Sequence, residues 1–218
     1  MTRDEAVVLI QQQMAFRTTL SSEIVTNMQA AQVLLEQEPV KPWWLKSSTT
    51  LTTTSATQAI PLPVDFLEEI EDRSPVYVPD SVSDTTPKVV LRKDSYDVLR
   101  ENFQDGSTGT TLTGSPQAYA LEGTNIELFP IPDASTYDIT FPYYAKDTVL
   151  SSNVENGWLK YAPFLLMGKA GQMIATAVRD PTAGAAFAKW EAEGRAVLTN
   201  KAIAREMAGM DMQVGGPH

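Results

Sequence analysis

Residues 118–144 read AYALEGTNIELFPIPDASTYDITFPYY, and this stretch decides the fold class. Three runs within it alternate with the period of two that a half-buried strand requires: Ala118 to Leu121, Ile126 to Phe129, and Tyr137 to Tyr144. Glu122-Gly123-Thr124-Asn125 and Pro130-Ile131-Pro132-Asp133 separate them with turn-forming residues. The spacing predicts an antiparallel meander.

Upstream of the meander the chain stays rich in strand signals as far back as residue 39. Residues 47–58 hold nine Ser and Thr in twelve positions, with β propensity where Thr dominates. Trp43-Trp44-Leu45, Leu51 and Ile60 anchor strands here, broken by a loop at Ser55. Asp65 to Ile70 follows the Pro61-Leu62-Pro63-Val64 turn as a short helical turn or an edge strand. Val89-Val90-Leu91 is a brief strand, and Ser95 to Phe103 a short helix with Tyr96, Leu99 and Phe103 on one side.

Outside this middle, the periodicity changes to that of helices. Thr2 and Glu5 stand at capping-box spacing before Val7, Val8, Ile10 and Met14. Ile24, Met28, Ala31, Leu34 and Leu35 recur at helical spacing until Pro39. Downstream, Trp158 to Tyr161 leads into a helix starting at Pro163 with the stripe Leu165, Leu166, Ala170, Met173, Ile174 and Ala177. Asp180-Pro181 caps a second, carrying Phe187, Trp190, Gly194, Val197, Leu198 and Ala202. Gly168, Gly171 and Gly194 let the two helices of this hairpin approach closely.

The expected fold is therefore α+β: a bundle made by the N- and C-terminal helices, with an inserted antiparallel β-rich region. Residues 1–38 and 156–206 form the bundle, 39–155 the inserted domain, and 207–218 a flexible tail.

Composition narrows the chemistry. The 218 residues contain no cysteine, which excludes disulfides, thiolate metal sites and cysteine nucleophiles. The single histidine is His218, on a Gly215-Gly216-Pro217 tail, so no Ser–His–acid triad and no histidine-built metal centre is expected. No window approaches 18 consecutive apolar residues and no secretory signal is present, so a soluble, unprocessed protein without a membrane partner is expected. Net charge is −10, divided as −3 over residues 1–38, −9 over 39–155 and +2 over 156–218. The acidic middle repels polyanions, which disfavours sequence-specific nucleic-acid binding.

Candidate sites are few. Gly168-Lys169 and Gly106-Ser107-Thr108-Gly109 lack the spacing and context of phosphate loops. Glu68, Glu69, Glu71 and Asp72, with Asp65 nearby, are the densest carboxylates, and a pair could in principle cleave a sugar bond unaided. A solvated face explains them better, because adjacent acids point in different directions with no apolar wall. Asp94, Asp97 and Glu101 suit a helix start. Neither catalytic residues, nor a cofactor, nor a metal site are expected. Trp43 and Trp44, taken as strand neighbours facing opposite ways, divide between core and a neighbouring subunit. Met207, Met210 and Met212 form a Met-rich segment that can order on a partner.

The run Phe141-Pro142-Tyr143-Tyr144-Ala145-Lys146-Asp147-Thr148-Val149-Leu150-Ser151-Ser152, then Asn156-Gly157-Trp158-Leu159-Lys160-Tyr161-Ala162-Pro163 and a small-residue helix, resembles the head-to-tail adaptors of tailed bacteriophages, among them tail tubular protein A-like adaptors. Ile126-Glu127-Leu128-Phe129-Pro130 and Leu62-Pro63-Val64-Asp65-Phe66-Leu67 fit the same pattern. The resemblance is strongest over residues 117–200 and extends to 20–70, while 72–116 have no counterpart in it. It implies a non-enzymatic structural protein of the virion neck, made in the host cytoplasm, forming a ring commonly of twelve copies. Its implied partners are its own copies, the portal protein above, a tail or nozzle protein below, and DNA passing without sequence-specific binding. A carboxylate-only glycoside or cell-wall hydrolase, and a β-rich receptor-binding tail protein, are the alternatives.

Overall fold

The Thr2 cap forms as its spacing predicts: the Glu5 amide donates to Thr2 Oγ1 at 3.4 Å, and the Thr2 amide to Glu5 Oε2 at 2.8 Å. It opens α1 (Arg3–Gln13) in the computed structural model, which describes residues 1–15, 17–70, 73–77, 88–134 and 137–211, with side chains as far as Arg205. A 3-10 turn at Thr18–Leu20 leads into α2 (Ser21–Glu36), and a second covers Trp43–Leu45. Next come β1 (Lys46–Thr52), β2 (Ala59–Pro61), β3 (Phe66–Glu69), β4 (Val76–Tyr77), β5 (Val89–Val90) and β6 (Arg92–Lys93). After α3 (Tyr96–Asn102) follow β7 (Thr113–Gly114), β8 (Ala118–Glu122), β9 (Asn125–Phe129), β10 (Ile131–Pro132) and β11 (Asp138–Ala145). The chain ends in α4 (Gly157–Tyr161), α5 (Pro163–Ala177) and α6 (Pro181–Asp211). The α+β class with helices at both ends is borne out.

Two compact units emerge, one of Met1–Leu45 with Lys146–His218 and one of Lys46–Ala145. Residues 39–45 and 146–155, expected with the strands, therefore group with the helices. The reason is local. Trp43–Leu45 is not a strand: the Leu45 amide donates to the Pro42 carbonyl at 3.1 Å, closing a 3-10 turn that buries Leu45. Residues 147–156 supply buried hydrogen bonds to α2, described below. Residues 207–211, expected in a flexible tail, continue the backbone of α6.

Within the strand-rich unit the expected meander is only two-thirds correct. β8 and β9 form the predicted hairpin, turning at Gly123 with φ 59°. They lie in a sheet ordered β2-β9-β8-β6. β11 instead crosses to a second sheet, ordered β1-β11-β4-β5, with β3 also on β11. Pro130 and Pro132 bring no N–H to a ladder, so the segment between the runs makes only a short parallel pairing of β10 with β7. Asp65 to Ile70, left open between helix and strand, is strand β3. Pro142 sits in β11 between the stretch paired to β4 (Ile139, Thr140) and that paired to β3 (Tyr143 to Ala145), a gap in the second ladder.

The two sheets share one core. Tyr77, Ile139, Phe141 and Tyr143 of one meet Ile60, Tyr119, Ile126 and Leu128 of the other. The opposite face of β8 and β9 carries Ala118, Ala120 and Phe129, on which α3 lays Leu99, Tyr96 and Phe103. Alternation thus feeds two cores from one hairpin, and for that reason residues 118–120 are all buried.

In the helical unit α5 packs against α1, α2, α4 and α6, and its buried arc is correspondingly wide, from Leu165 to Ala175. The hairpin with α6 is built on glycine. A Cβ on Gly168 would lie 2.4 Å from the Glu191 amide nitrogen, and one on Gly194 would lie 2.4 Å from that of Leu165. Side chains cannot yield there, because the opposing atoms are backbone.

Candidate functional site

α2 carries its apolar stripe on Ile24, Met28, Ala31 and Leu35, all buried. Gln32 and Glu36 stand four and eight residues after Met28, on the inward face, and are 5% and 4% exposed. A polar residue four places along from a core residue is a readable signal of a buried network, one that the search for catalytic residues passed over. Glu36 Oε1 accepts from Gln32 Nε2 at 2.8 Å, the Asp147 amide at 3.1 Å and Trp158 Nε1 at 3.3 Å. Asn156 Nδ2 donates to Gln32 Oε1 at 3.2 Å and to the Thr148 carbonyl at 3.1 Å, while its Oδ1 caps α4 by accepting from the Leu159 amide at 3.0 Å. The segment leaving β11 is thereby fastened to α2 through fully engaged polar groups.

Asp147 completes the clasp. Its carboxylate accepts from the Thr148 amide at 2.8 Å and the Trp158 amide at 3.1 Å. The buried Trp44 indole N–H faces the same carboxylate without reaching regular hydrogen-bond geometry. Gly157 lies between them, since a Cβ there would sit 2.4 Å from Trp44 Cδ1 and 2.6 Å from Asp147 Oδ2. Burial pushes the Asp147 carboxyl above its ordinary range, outweighing the N–H donors that pull it down. A raised native pKa means the folded chain binds that proton more tightly than the unfolded one. The stabilisation is complete below about pH 4 and is lost as pH rises through the raised value. Asp147→Asn cannot titrate, so wild-type stability minus that of Asp147→Asn should fall across this window in urea unfolding. A difference that is flat with pH would contradict the assignment.

Above this clasp lies an aromatic cluster. Trp43 meets Trp44 edge-on at 4.9 Å between ring centroids, Trp44 meets Trp158 edge-on at 5.2 Å, and Tyr161 lies 5.7 and 5.3 Å from Trp43 and Trp44. Both Trp43 and Trp44 are partly buried. On a 3-10 turn they do not alternate as on a strand, so the expected division into one core and one surface tryptophan is replaced by a shared cluster. The Arg205 guanidinium stacks over Trp43 at 4.6 Å.

The second half of α6 is pinned beside this cluster. Arg195 donates to Glu38 Oε2 at 2.7 Å through Nη1 and to Oε1 at 2.6 Å through Nη2, which holds the Glu38 carboxyl below its usual range. Lys201 Nζ donates to the Tyr161 carbonyl at 3.1 Å. Between residues 38–43 and α6 remains a groove of about 410 Å³ whose apolar walls include Val40, Trp43, Leu198 and Ile203. Val40 is 84% exposed and Ile203 45%, so the groove leaves apolar surface in water.

Of the remaining sequence candidates, Met207 and Met210 lie on α6 beyond the described side chains, and Met212, Glu71, Asp72 and His218 lie outside the described residues. Glu68 and Glu69 are neighbours on β3, one exposed and one buried. The solvated-face reading fails for Glu69, which receives Tyr119 Oη and Lys93 Nζ at its carboxylate. Adjacent strand residues project to opposite faces, so these two acids do not converge on a common site. Gly168 and Lys169 serve the hairpin, Lys169 Nζ lying 3.7 Å from Glu191. Among the described residues no group of three or more His, Asp or Glu is placed to hold a metal, and no helix is long and apolar enough to cross a membrane.

Several residues that carry the adaptor resemblance after β11 have a structural task in this unit: Asp147 and Asn156 in the clasp, Gly157 beneath Trp44, Trp158 on Glu36. No curated protein matches the chain. The family model described as SU10 adaptor protein matches residues 1–215, including 72–116, where the resemblance had found no counterpart. The chain belongs to the SU10 adaptor protein family, a family of phage head-to-tail adaptors.

Proposed function

We propose that the protein is a structural, non-enzymatic connector of the virion neck, whose copies form a ring between the portal and the tail proteins and line part of the DNA channel. The observation that carries this reading is the family match over residues 1–215. Physical support comes from the helical unit, whose buried Gln32, Glu36 and Asn156 are engaged in an internal clasp and whose surface offers apolar contact area beside Trp43. Trp43 and the Met207, Met210 and Met212 segment are the contacts assigned to partners, with Trp44 supporting Trp43 from beneath. Copy number is twelve in this proposal. The charge of −9 over Lys46–Ala145 suits a surface past which DNA slides without adhering.

Negative-stain imaging of the purified chain, alone and mixed with its portal, tests the proposal. Annular particles of twelve subunits capping the portal are expected. Strictly monomeric behaviour, even on the portal, overturns it.

A further inference from the structure

β1 is a seven-residue strand, and it ends its sheet: β11 lies on one side of it and no described strand on the other. Its pairing to β11 is regular throughout, with no bulge, no proline and a charge only at Lys46. The other sheet edges are blunted. β5 and β6 are two residues long, β6 being Arg92-Lys93, while β2 stops at Pro61 after three and β3 carries Glu68 and Glu69. A long edge without such devices is a template for a further strand.

The ladder fixes which groups of β1 face outward. The Thr53 amide donates to the Tyr137 carbonyl at 3.1 Å, so Ser47, Thr49 and Leu51, at steps of two, bond to β11. The N–H and C=O of Ser48, Thr50 and Thr52 therefore point away from β11. Pro142, opposite Ser48, agrees with this: its missing N–H falls on the side of β3 and β4, where the ladder has its gap.

We propose that the occupant of this edge is β1 of a second copy of the chain, antiparallel and centred on Thr49. The run Lys46-Ser47-Ser48-Thr49-Thr50-Leu51-Thr52 is self-complementary in that register. Ser48 and Thr50 of opposite copies exchange backbone hydrogen bonds, as do Lys46 and Thr52, and Thr49 faces Thr49 in a close, non-hydrogen-bonded pair. Charge selects the same register. Lys46 and Asp138 are exposed on one face of the sheet, and neither has an oppositely charged partner among the described residues. Asp138 is the register partner of Thr52 and accepts from Thr52 Oγ1 at 2.7 Å. Lys46 of the second copy, opposite Thr52, thus stands one strand away from Asp138, and the two-fold axis makes the contact twice. A two-fold pair is not the contact between neighbours of a ring. It belongs to the free chain and goes beyond the ring reading.

The test is sedimentation of the purified full-length chain over a range of concentrations, with folding of every variant verified by circular dichroism. A concentration-dependent dimer is expected. Thr50→Pro removes one outward N–H from each copy, at a position where an edge strand tolerates proline, and should weaken the dimer on the order of tenfold or more. Lys46→Glu sets like charges beside Asp138 and should weaken it at low ionic strength, while adding Asp138→Lys to the same chain should restore it. The chain contains no cysteine, so Thr49→Cys should give a disulfide-linked dimer on oxidation, whereas Thr52→Cys, remote from its own counterpart, should not. A chain that is monomeric at every concentration overturns the inference, as does a dimer that Thr50→Pro leaves unchanged and Thr49→Cys does not link. Ser48 and Thr50 amides that gain protection from hydrogen exchange only when portal or tail protein is added assign the edge to that protein and equally overturn it. None of these outcomes decides ring assembly on the portal, which imaging reads separately.

Discussion

Gly194→Ala is expected to destabilise the chain by about 3 kcal/mol, although the same change in an isolated helix stabilises it by about 1 kcal/mol. The sign reverses because of what the added methyl would meet. A Cβ on Gly194 would be 2.4 Å from Leu165 N and 2.7 Å from its Cα. The helices must separate to admit it, and interiors packed at crystal density do not separate cheaply. Gly184→Ala is the internal control, on the same helix. Its Cβ would stand 3.6 Å from that of Ala175, an ordinary contact, so the helix-propensity gain of up to about 1 kcal/mol should survive. Urea unfolding of both variants, followed by circular dichroism, reads the two signs. Equal effects would mean that the hairpin is not held by close approach at Gly194.

Trp158→Ala should cost about 3–5 kcal/mol, the range for deleting a large buried aromatic. Trp158 is 1% exposed, packs edge-on against Trp44, and donates its indole N–H to Glu36 at 3.3 Å. Its loss opens a cavity and removes one of the donors that make a buried carboxylate tolerable. A domain of ordinary stability has only about 5–15 kcal/mol in total, so assembly-competent protein should fall sharply. Trp158→Phe separates the two contributions. It keeps most of the packing while leaving Glu36 one donor short, and should cost about 1–3 kcal/mol. If Trp158→Phe matched wild type in unfolding midpoint, the hydrogen bond to Glu36 would carry no weight and the clasp would be held by packing alone.

Several features were legible because they depend on neighbours in sequence. The Thr2 box, Pro163 opening α5 and Asp180 before α6 are local hydrogen-bonding or φ constraints, and each forms where its residue types stand. The Asp180 cap, for instance, accepts the Ala183 amide at 3.0 Å. The hairpin of β8 and β9 was equally readable, since Gly123 supplies the turn and alternation supplies the register. The run containing β11 was read as a strand but assigned the wrong neighbours. Its alternation records which side chains face a core and contains nothing about which sheet contributes the other half of that core.

The candidate site divides in the same way. Trp43 and Trp44 stood out by residue type, yet their geometry depends on Pro42 closing a 3-10 turn and on Trp158 and Tyr161, more than a hundred positions away. Glu69 looked like one member of an acidic run and is instead a buried acceptor for Tyr119 and Lys93, because its strand turns it inward. The acidic run Glu68-Glu69 offered no means of telling one from the other, since period two places them on opposite faces without saying which face is covered.

By itself the sequence determined the starts of α1, α5 and α6, the strand-rich middle, the charge division and the glycines that permit close helix approach, because each is written in residues within a few positions of one another. Tertiary structure alone decided which sheet received β11, which carboxylates were buried, and how residues 147–158 clasp α2. Those outcomes follow from burial and hydrogen-bond completion between distant segments, and a polar side chain finds its buried partner only after the chain has folded back to bring it.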